Sequence, residues 1–223
     1  MRCPTLPSAY GVMIQSRRQP WLCSDVWLAS GDFMAATAPE VARALADVLE
    51  REALPYAIGG ALALGFYALP RATADVDLNV FLPPAAIDQV LRALRLGGVR
   101  VDDEAQAGRQ AADEGQFRGY VGNMRIDVFV PAFAYYASLS ERRRQVSLLG
   151  RPAWILGAED LVVLKMMFFR RKDLADVEAI LSEQPALDRP YVRRTLIELV
   201  GADDPRISTL ASIEHDVDAP REE

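Results

Sequence analysis

Residues 56–81 read YAIGGALALGFYALPRATADVDLNVF, and this stretch decides the fold. Tyr56, Ala57 and Ile58 make a short apolar strand, Gly59-Gly60 follows at once, and Ala61 to Leu69 has the composition of a helix. Ala74-Asp75-Val76-Asp77-Leu78-Asn79-Val80 then alternates strictly. Successive side chains on a strand point to opposite faces. Ala74, Val76, Leu78 and Val80 therefore share the core face, and Asp75, Asp77 and Asn79 share the other. Two carboxylates at i and i+2 lie roughly 6–7 Å apart at the backbone. That spacing suits a divalent cation, which takes hard oxygen ligands. Taken alone, Asp-x-Asp also suits the wet face of an edge strand, and Gly-Gly also suits a tight turn. Order and spacing favour the sharper reading: glycine pair, helix, then acidic strand, with fourteen residues between Gly60 and Asp75. Glycines let the backbone approach a phosphate, and a helix N-terminus favours negative charge. The carboxylates then hold the metal that bridges the same phosphates. No Gly-Lys-Ser/Thr follows the glycines, so this is not a Walker loop.

Composition sets the frame around that stretch. A chain of 223 residues with 51% hydrophobic content is one domain, with or without a helical appendage. The net charge of −6 argues against a broadly basic nucleic-acid-binding surface but leaves room for a local basic patch. The two cysteines, Cys3 and Cys23, have no metal-ligand or redox spacing, which points to the cytoplasm. No apolar run approaches the roughly 18–20 residues of a membrane span, so no membrane partner is expected. Residues 1–36 hold both cysteines with Trp21 and Trp27 and lack periodicity. They read as a poorly ordered extension with Met34 as a candidate start, or else as an arm packed on the domain.

Thr37-Ala38-Pro39-Glu40 has the capping-box pattern, and Val41, Leu45, Val48 and Leu49 continue a helix to about Glu52. A further helix starts at Pro83-Pro84, carries Ile87, Val90, Leu91 and Leu94, and ends at Gly97-Gly98. Residues 102–115 are acidic and small and read as a mobile loop or irregular helix, with Asp102, Asp103 and Glu104 a solvated charge run in preference to a set of ligands. Gln116 to Val121 and Met124 to Val130 read as a hairpin turned by Gly122-Asn123. Asp127 lies opposite Ile126, Val128 and Val130 and is the only carboxylate of its strand. Arg142-Arg143-Arg144 reads as a solvated turn or as a face for a polyanionic acceptor, and Ala153 to Leu156 as a strand. Lys165 is the only charge in the nine residues from Leu161 to Phe169, so it must snorkel, pair or work. Asp173 and Asp176 suit a helix start. Asp188 to Val200 makes another amphipathic helix, and the remainder, with the lone His215, reads as a frayed polar tail.

The central stretch resembles the nucleotidyltransferase superfamily that includes DNA polymerase beta. More narrowly, it is similar to the AbiEii/AbiGii toxin-type and related small bacterial nucleotidyltransferases. The residues that carry the likeness are Ile58-Gly59-Gly60, Arg71-x-Thr73 and Asp75-Val76-Asp77. Glu159-Asp160-Leu161, Lys165 and Lys172-Asp173-Leu174-Ala175-Asp176 add to it. The likeness covers roughly Thr37 to Leu199. It implies an α/β (α+β) nucleotidyltransferase fold, a mixed sheet flanked by helices with a small helical C-terminal part. The expected division is an extension at 1–36, a core at 37–156, C-terminal helices at 157–201 and a tail at 202–223. The resemblance further implies that Asp127 completes a metal site with Asp75 and Asp77, for magnesium or manganese. It implies a nucleoside triphosphate held by Gly59, Gly60, Arg71, Thr73 and Lys165, with Asp173 orienting the lysine. The implied reaction moves a nucleotide onto the hydroxyl of a tRNA, a protein or a small molecule. A toxin-type enzyme would carry a separate antitoxin partner; the alternatives are an aminoglycoside-type enzyme and a non-catalytic nucleotide-binding module of the same fold.

Overall fold

The computed structural model describes residues 36–219. The expected extension at the N-terminus lies outside them, apart from Ala36. Helix α1 (Ala38–Arg51) opens with the capping box read from the sequence: the Glu40 carboxylate accepts from the Thr37 N–H at 2.8 Å. Strand β1 (Tyr56–Ile58) leads through Gly59 into α2 (Gly60–Leu64), and β2 (Asp75–Val80) carries the acidic pair. A 3-10 turn at Pro84–Ala86 enters α3 (Ile87–Leu96), followed by α4 (Glu104–Asp113). The hairpin β3 (Gln116–Val121) and β4 (Met124–Phe129) turns on Gly122-Asn123. Gly122 sits at φ +57°, the left-handed backbone that the first position of a two-residue hairpin turn favours. Then come α5 (Tyr135–Arg142), β5 (Arg144–Leu148), β6 (Arg151–Ile155), α6 (Ala158–Phe168), α7 (Arg171–Glu183), α8 (Arg189–Val200) and α9 (Pro205–Asp218).

The strands form one mixed six-stranded sheet in the order β3-β4-β2-β1-β6-β5. β2 runs parallel to β4, and β1 parallel to β6; the other neighbours are antiparallel. The period-two pattern sorts the two faces. Tyr56, Ile58, Val76, Leu78, Val80, Ile126 and Val128 fall on one face and are buried. Helix α1 covers that face, where Glu50 accepts a hydrogen bond from the Tyr56 hydroxyl, and α3 packs on α1. The opposite face carries Asp75, Asp77, Asn79 and Asp127, and α6 lies over it, with Phe168 against Phe129 at 6.1 Å between ring centres. Helices α7, α8 and α9 pack around α6. This is the mixed α/β architecture expected from the sequence.

Four local expectations change. Helix α2 is five residues long and does not reach Leu69. Gly65 weakens it, and Pro70 keeps Leu69 out of the helical region, so Phe66 and Leu69 are exposed. Residues 102–115 hold a regular helix: the Asp103 carboxylate caps it from the Gln106 N–H, and Ala107 and Ala111 are buried. Residues 205–218 of the expected tail are helical and not frayed: α9 is capped by Asp204 and buries Leu210 against the other C-terminal helices. Strand β5 was not legible in the sequence. It pairs with β6 across a tight turn whose residues, Leu149 and Gly150, both take positive φ.

Candidate active site

The register of β2 against β4 builds the site. Asp77 stands abreast of Asp127, and Asp75 abreast of Arg125. Aligned residues of neighbouring strands project from the same face, so Asp75, Asp77 and Asp127 come together from two strands. They line a cavity of about 340 Å³ with Gly60, Arg71, Lys165 and Asp173. Arg118, Arg125, Arg170 and Lys172 also reach it, with Leu161, Leu164, Phe129 and Phe168 as its apolar part.

The three carboxylates have different surroundings. Asp75 accepts from the Thr73 hydroxyl and from the Arg125 guanidinium. Burial pushes its pKa up, but Thr73 and Arg125 outweigh that and hold the carboxyl below its ordinary value. Asp127 is flanked by Arg118 Nε at 2.8 Å and Arg125 Nε at 3.0 Å. Asp77 makes no side-chain hydrogen bond or ion pair among the described residues. Burial first, then the charges of Asp75 and Asp127, push its pKa from 3.8 up to about 6. Gly60 explains how it fits. At φ +56°, a Cβ on Gly60 would lie 1.7 Å from Asp77 Oδ2, so only glycine leaves room for the carboxylate.

Among the described residues, no three Asp, Glu, His or Cys side chains are gathered tightly enough to hold a metal ion. Arg125 pairs with both Asp75 and Asp127. The donor set is nevertheless of the right chemistry. Three carboxylates sit on one face, one of them without a partner and pushed towards its neutral form by burial first and then by the other two.

The remaining expected residues divide. Arg71 and Lys165 line the cavity, and both are held by Asp176. Lys165 Nζ is buried and lies 2.6 Å from Asp176 Oδ2; Arg71 binds both oxygens of the same carboxylate at 2.8 and 2.9 Å. Here the geometry corrects the sequence reading. Asp173 does not touch Lys165; it caps α7 and binds Arg170 at 2.6 Å, so the carboxylate that fixes the lysine is Asp176. Phase explains the exchange, since Asp173 and Asp176 lie one helical turn apart and only packing selects between them. Gly59 also differs from expectation. Its N–H donates to the Asp77 carbonyl at 2.8 Å, so of the glycine pair Gly60 is the one that opens on the cavity. Thr73 braces Asp75 and does not line the cavity.

Arg125 and Arg118 escaped the sequence reading. Strand periodicity held the signal for the first: Arg125 is two residues from Asp127 and therefore on its face. The triple arginine is not a free patch. Arg142 pairs with Glu159 and the buried Asp160 and stacks 3.8 Å over Tyr191, while Arg143 stacks 4.6 Å over Trp154. Asp160 also accepts from the hydroxyls of Tyr135 and Tyr191, both at 2.8 Å, which ties α5, α6 and α8 together.

The mixed sheet and its flanking helices make a nucleotidyltransferase fold, which two solved structures of ANT(2'')-Ia share. The solution structure of the antibiotic-resistance factor ANT(2'')-Ia superposes with a TM-score of 0.53 at 15% identity, covering 80% of this chain and 95% of that one. The crystal structure of ANT(2'')-Ia in complex with adenylyl-2''-tobramycin also gives 0.53 at 15% identity, covering 70% and 95%. An antigenic nucleotidyltransferase-like protein from Paracoccidioides brasiliensis gives 0.49 at 18% identity, covering 78% and 92%. No family model matches the chain, and no curated protein matches it. The narrower toxin-type likeness rests on the sequence motifs alone. No helix among the described residues is long and apolar enough to cross a membrane.

Proposed function

We propose that this protein is a cytoplasmic nucleotidyltransferase that moves a nucleoside monophosphate from a nucleoside triphosphate onto an acceptor hydroxyl. The observation that carries the reading is the β2–β4 register, which gathers Asp75, Asp77 and Asp127 at one cavity. Asp75, Asp77 and Asp127 would hold magnesium or manganese, which when bound supplies Lewis acidity for in-line displacement at phosphorus. The acceptor oxygen bonds to the α-phosphorus as the bond to the bridging oxygen breaks and pyrophosphate leaves. The Asp127 carboxylate takes the hydroxyl proton. Gly60 lets the backbone come close to the phosphates, and Lys165 and Arg71, both fixed by Asp176, offset charge on the leaving side. Arg170 and Lys172 reach the same cavity and add to that field.

The sequence motifs favour a toxin-type enzyme with a tRNA or protein acceptor and a separate antitoxin. The solved neighbour in complex with adenylyl-2''-tobramycin shares the fold, and a small hydroxylated acceptor, as in an aminoglycoside-type enzyme, is the alternative that it suggests. The core of the reading is tested by calorimetric titration with each nucleoside triphosphate, once with magnesium and once with chelator. Tight binding only with the metal is expected. Equal affinity in the two conditions sinks the metal-dependent reading.

A further inference from the structure

Arg125 stands where a bound cation would be wanted. It is abreast of Asp75 across the β2–β4 pair and two residues before Asp127 on the same face. Its guanidinium pairs with Asp75 and also lies 3.0 Å from Asp127 Oδ2, so it is wedged between the first and third carboxylates. The wedge is imperfect. Arg125 Nε is shielded from water yet makes no hydrogen bond, so its approach to Asp127 is charge without hydrogen-bond geometry. The side chain as a whole is 41% exposed, which leaves it a path out to solvent. Arg118 behaves differently: it reaches Asp127 from the neighbouring strand at 2.8 Å, touches neither other carboxylate, and is 54% exposed.

A guanidinium and a divalent ion cannot both sit between Asp75 and Asp127. They compete for the same oxygens and repel each other. We propose that Arg125 is an internal counter-cation that closes the carboxylate cluster of the free protein and must swing out for a divalent ion to enter. Metal then binds tightly only together with a nucleotide, whose phosphates receive the displaced guanidinium. The planar fork of arginine is suited to that second role, because it binds phosphate oxygens in pairs. The inference rests on the nucleotidyltransferase reading and assigns Arg125 a positioning role within it. Metal and nucleotide become mutually dependent ligands, and by reciprocity each raises the affinity of the other by the same factor.

The full chain is titrated with manganese, and free ion is read by its electron paramagnetic resonance signal, with and without a non-hydrolysable α,β-methylene triphosphate. Manganese binding to the analogue itself is measured separately and subtracted. Wild type is expected to hold manganese weakly alone and at least tenfold more tightly with the analogue. Arg125→Met is expected to bind manganese alone at least tenfold more tightly than wild type, with the analogue adding less. Arg125→Lys, which keeps the charge, is expected to stay within about threefold of wild type. Arg118→Met is expected to move manganese affinity less than Arg125→Met does. Thermal unfolding checks each variant, and Arg125→Gln replaces Arg125→Met if the latter does not fold. Manganese affinity in the Arg125 variant no higher than in wild type overturns the inference while leaving metal-dependent nucleotide binding standing. No manganese binding to wild type even with the analogue overturns both.

Discussion

Asp77→Asn should make the metal-free protein more stable. Asp77 lies between two other carboxylates, has no partner of its own, and titrates near 6 where 3.8 is ordinary. A raised carboxyl pKa means that the folded state resists the charge. Well below pH 3.8 the group is protonated in both states and costs nothing. The cost grows as pH rises from about 3, through the unfolded value of 3.8, and is complete once pH is above about 6. A shift of about two units corresponds to roughly 3 kcal/mol, an upper bound because neighbouring side chains and water relax around the charge. Asparagine keeps the shape and removes the charge. In chelator at pH 7.5, urea unfolding followed by circular dichroism should therefore give Asp77→Asn an advantage of about 1–3 kcal/mol. For a chain of this size that is on the order of 3–10 °C in melting temperature. At pH 4 the same linkage leaves about 0.5 kcal/mol. In magnesium with triphosphate the order should reverse, because the variant loses a ligand. A variant no more stable than wild type at pH 7.5, or an equal gain at pH 4 and pH 7.5, refutes the reasoning.

Gly60→Ala should cost stability and function together. The left-handed backbone penalises alanine by about 1–2 kcal/mol, and the new Cβ displaces the Asp77 carboxylate. A lower melting temperature and at least tenfold weaker magnesium-dependent triphosphate binding are expected, whereas Gly59→Ala, with its nearest contact at 3.0 Å, should be milder. A lysine that merely snorkelled could be replaced by methionine at no cost in stability, but Lys165 is paired with Asp176, which reverses that for Lys165→Met. The variant leaves Asp176 with Arg71 alone and should lose about 1–3 kcal/mol, while Asp176→Asn strands a buried lysine and should lose about 3–5 kcal/mol. Denaturant unfolding decides this, and a larger loss from Asp173→Asn than from Asp176→Asn would show the pairing to be wrong.

The acidic strand was legible because its period is short and its chemistry alternates with it. Val76, Leu78 and Val80 are all buried, and Asp75 and Asp77 lie on the opposite face. Asp127 was legible as a lone carboxylate on an apolar strand, but its place beside Asp77 depends on a parallel pairing between strands some fifty residues apart, which local pattern does not encode. Arg125 and Arg118 were missed for a related reason. A charged residue on a half-wet face reads as ordinary until the neighbouring strand supplies its partner. Helix α4 was obscured by acidic and small residues, whose weak apolar stripe of Ala107 and Ala111 suffices only because α3 and β3 pack against it. Helix α9 buries little of its own, chiefly Leu210, and depends on the cleft offered by α7 and α8.

Charge at the cavity runs against the charge of the chain. The whole sequence carries −6, yet the cavity presents Arg71, Arg118, Arg125, Lys165, Arg170 and Lys172 against four carboxylates. Several of those cations are already answered: Lys165 and Arg71 by Asp176, Arg170 by Asp173, Arg118 and Arg125 by the acidic cluster. The two groups of pairs have different physical character. Asp176 is buried, and its pKa is lowered because Arg71 and Lys165 outweigh its desolvation, so that group is a fixed strut between α6, α7 and the segment before β2. The pairs on Asp75 and Asp127 involve half-exposed arginines, and one of their contacts lacks hydrogen-bond geometry. Breaking the first group strands charge in a dry site, whereas breaking the second returns a guanidinium to water or to a phosphate. The exchangeable pairs are therefore the ones on the proposed metal ligands, and the rigid ones lie behind Lys165, the proposed phosphate-binding lysine.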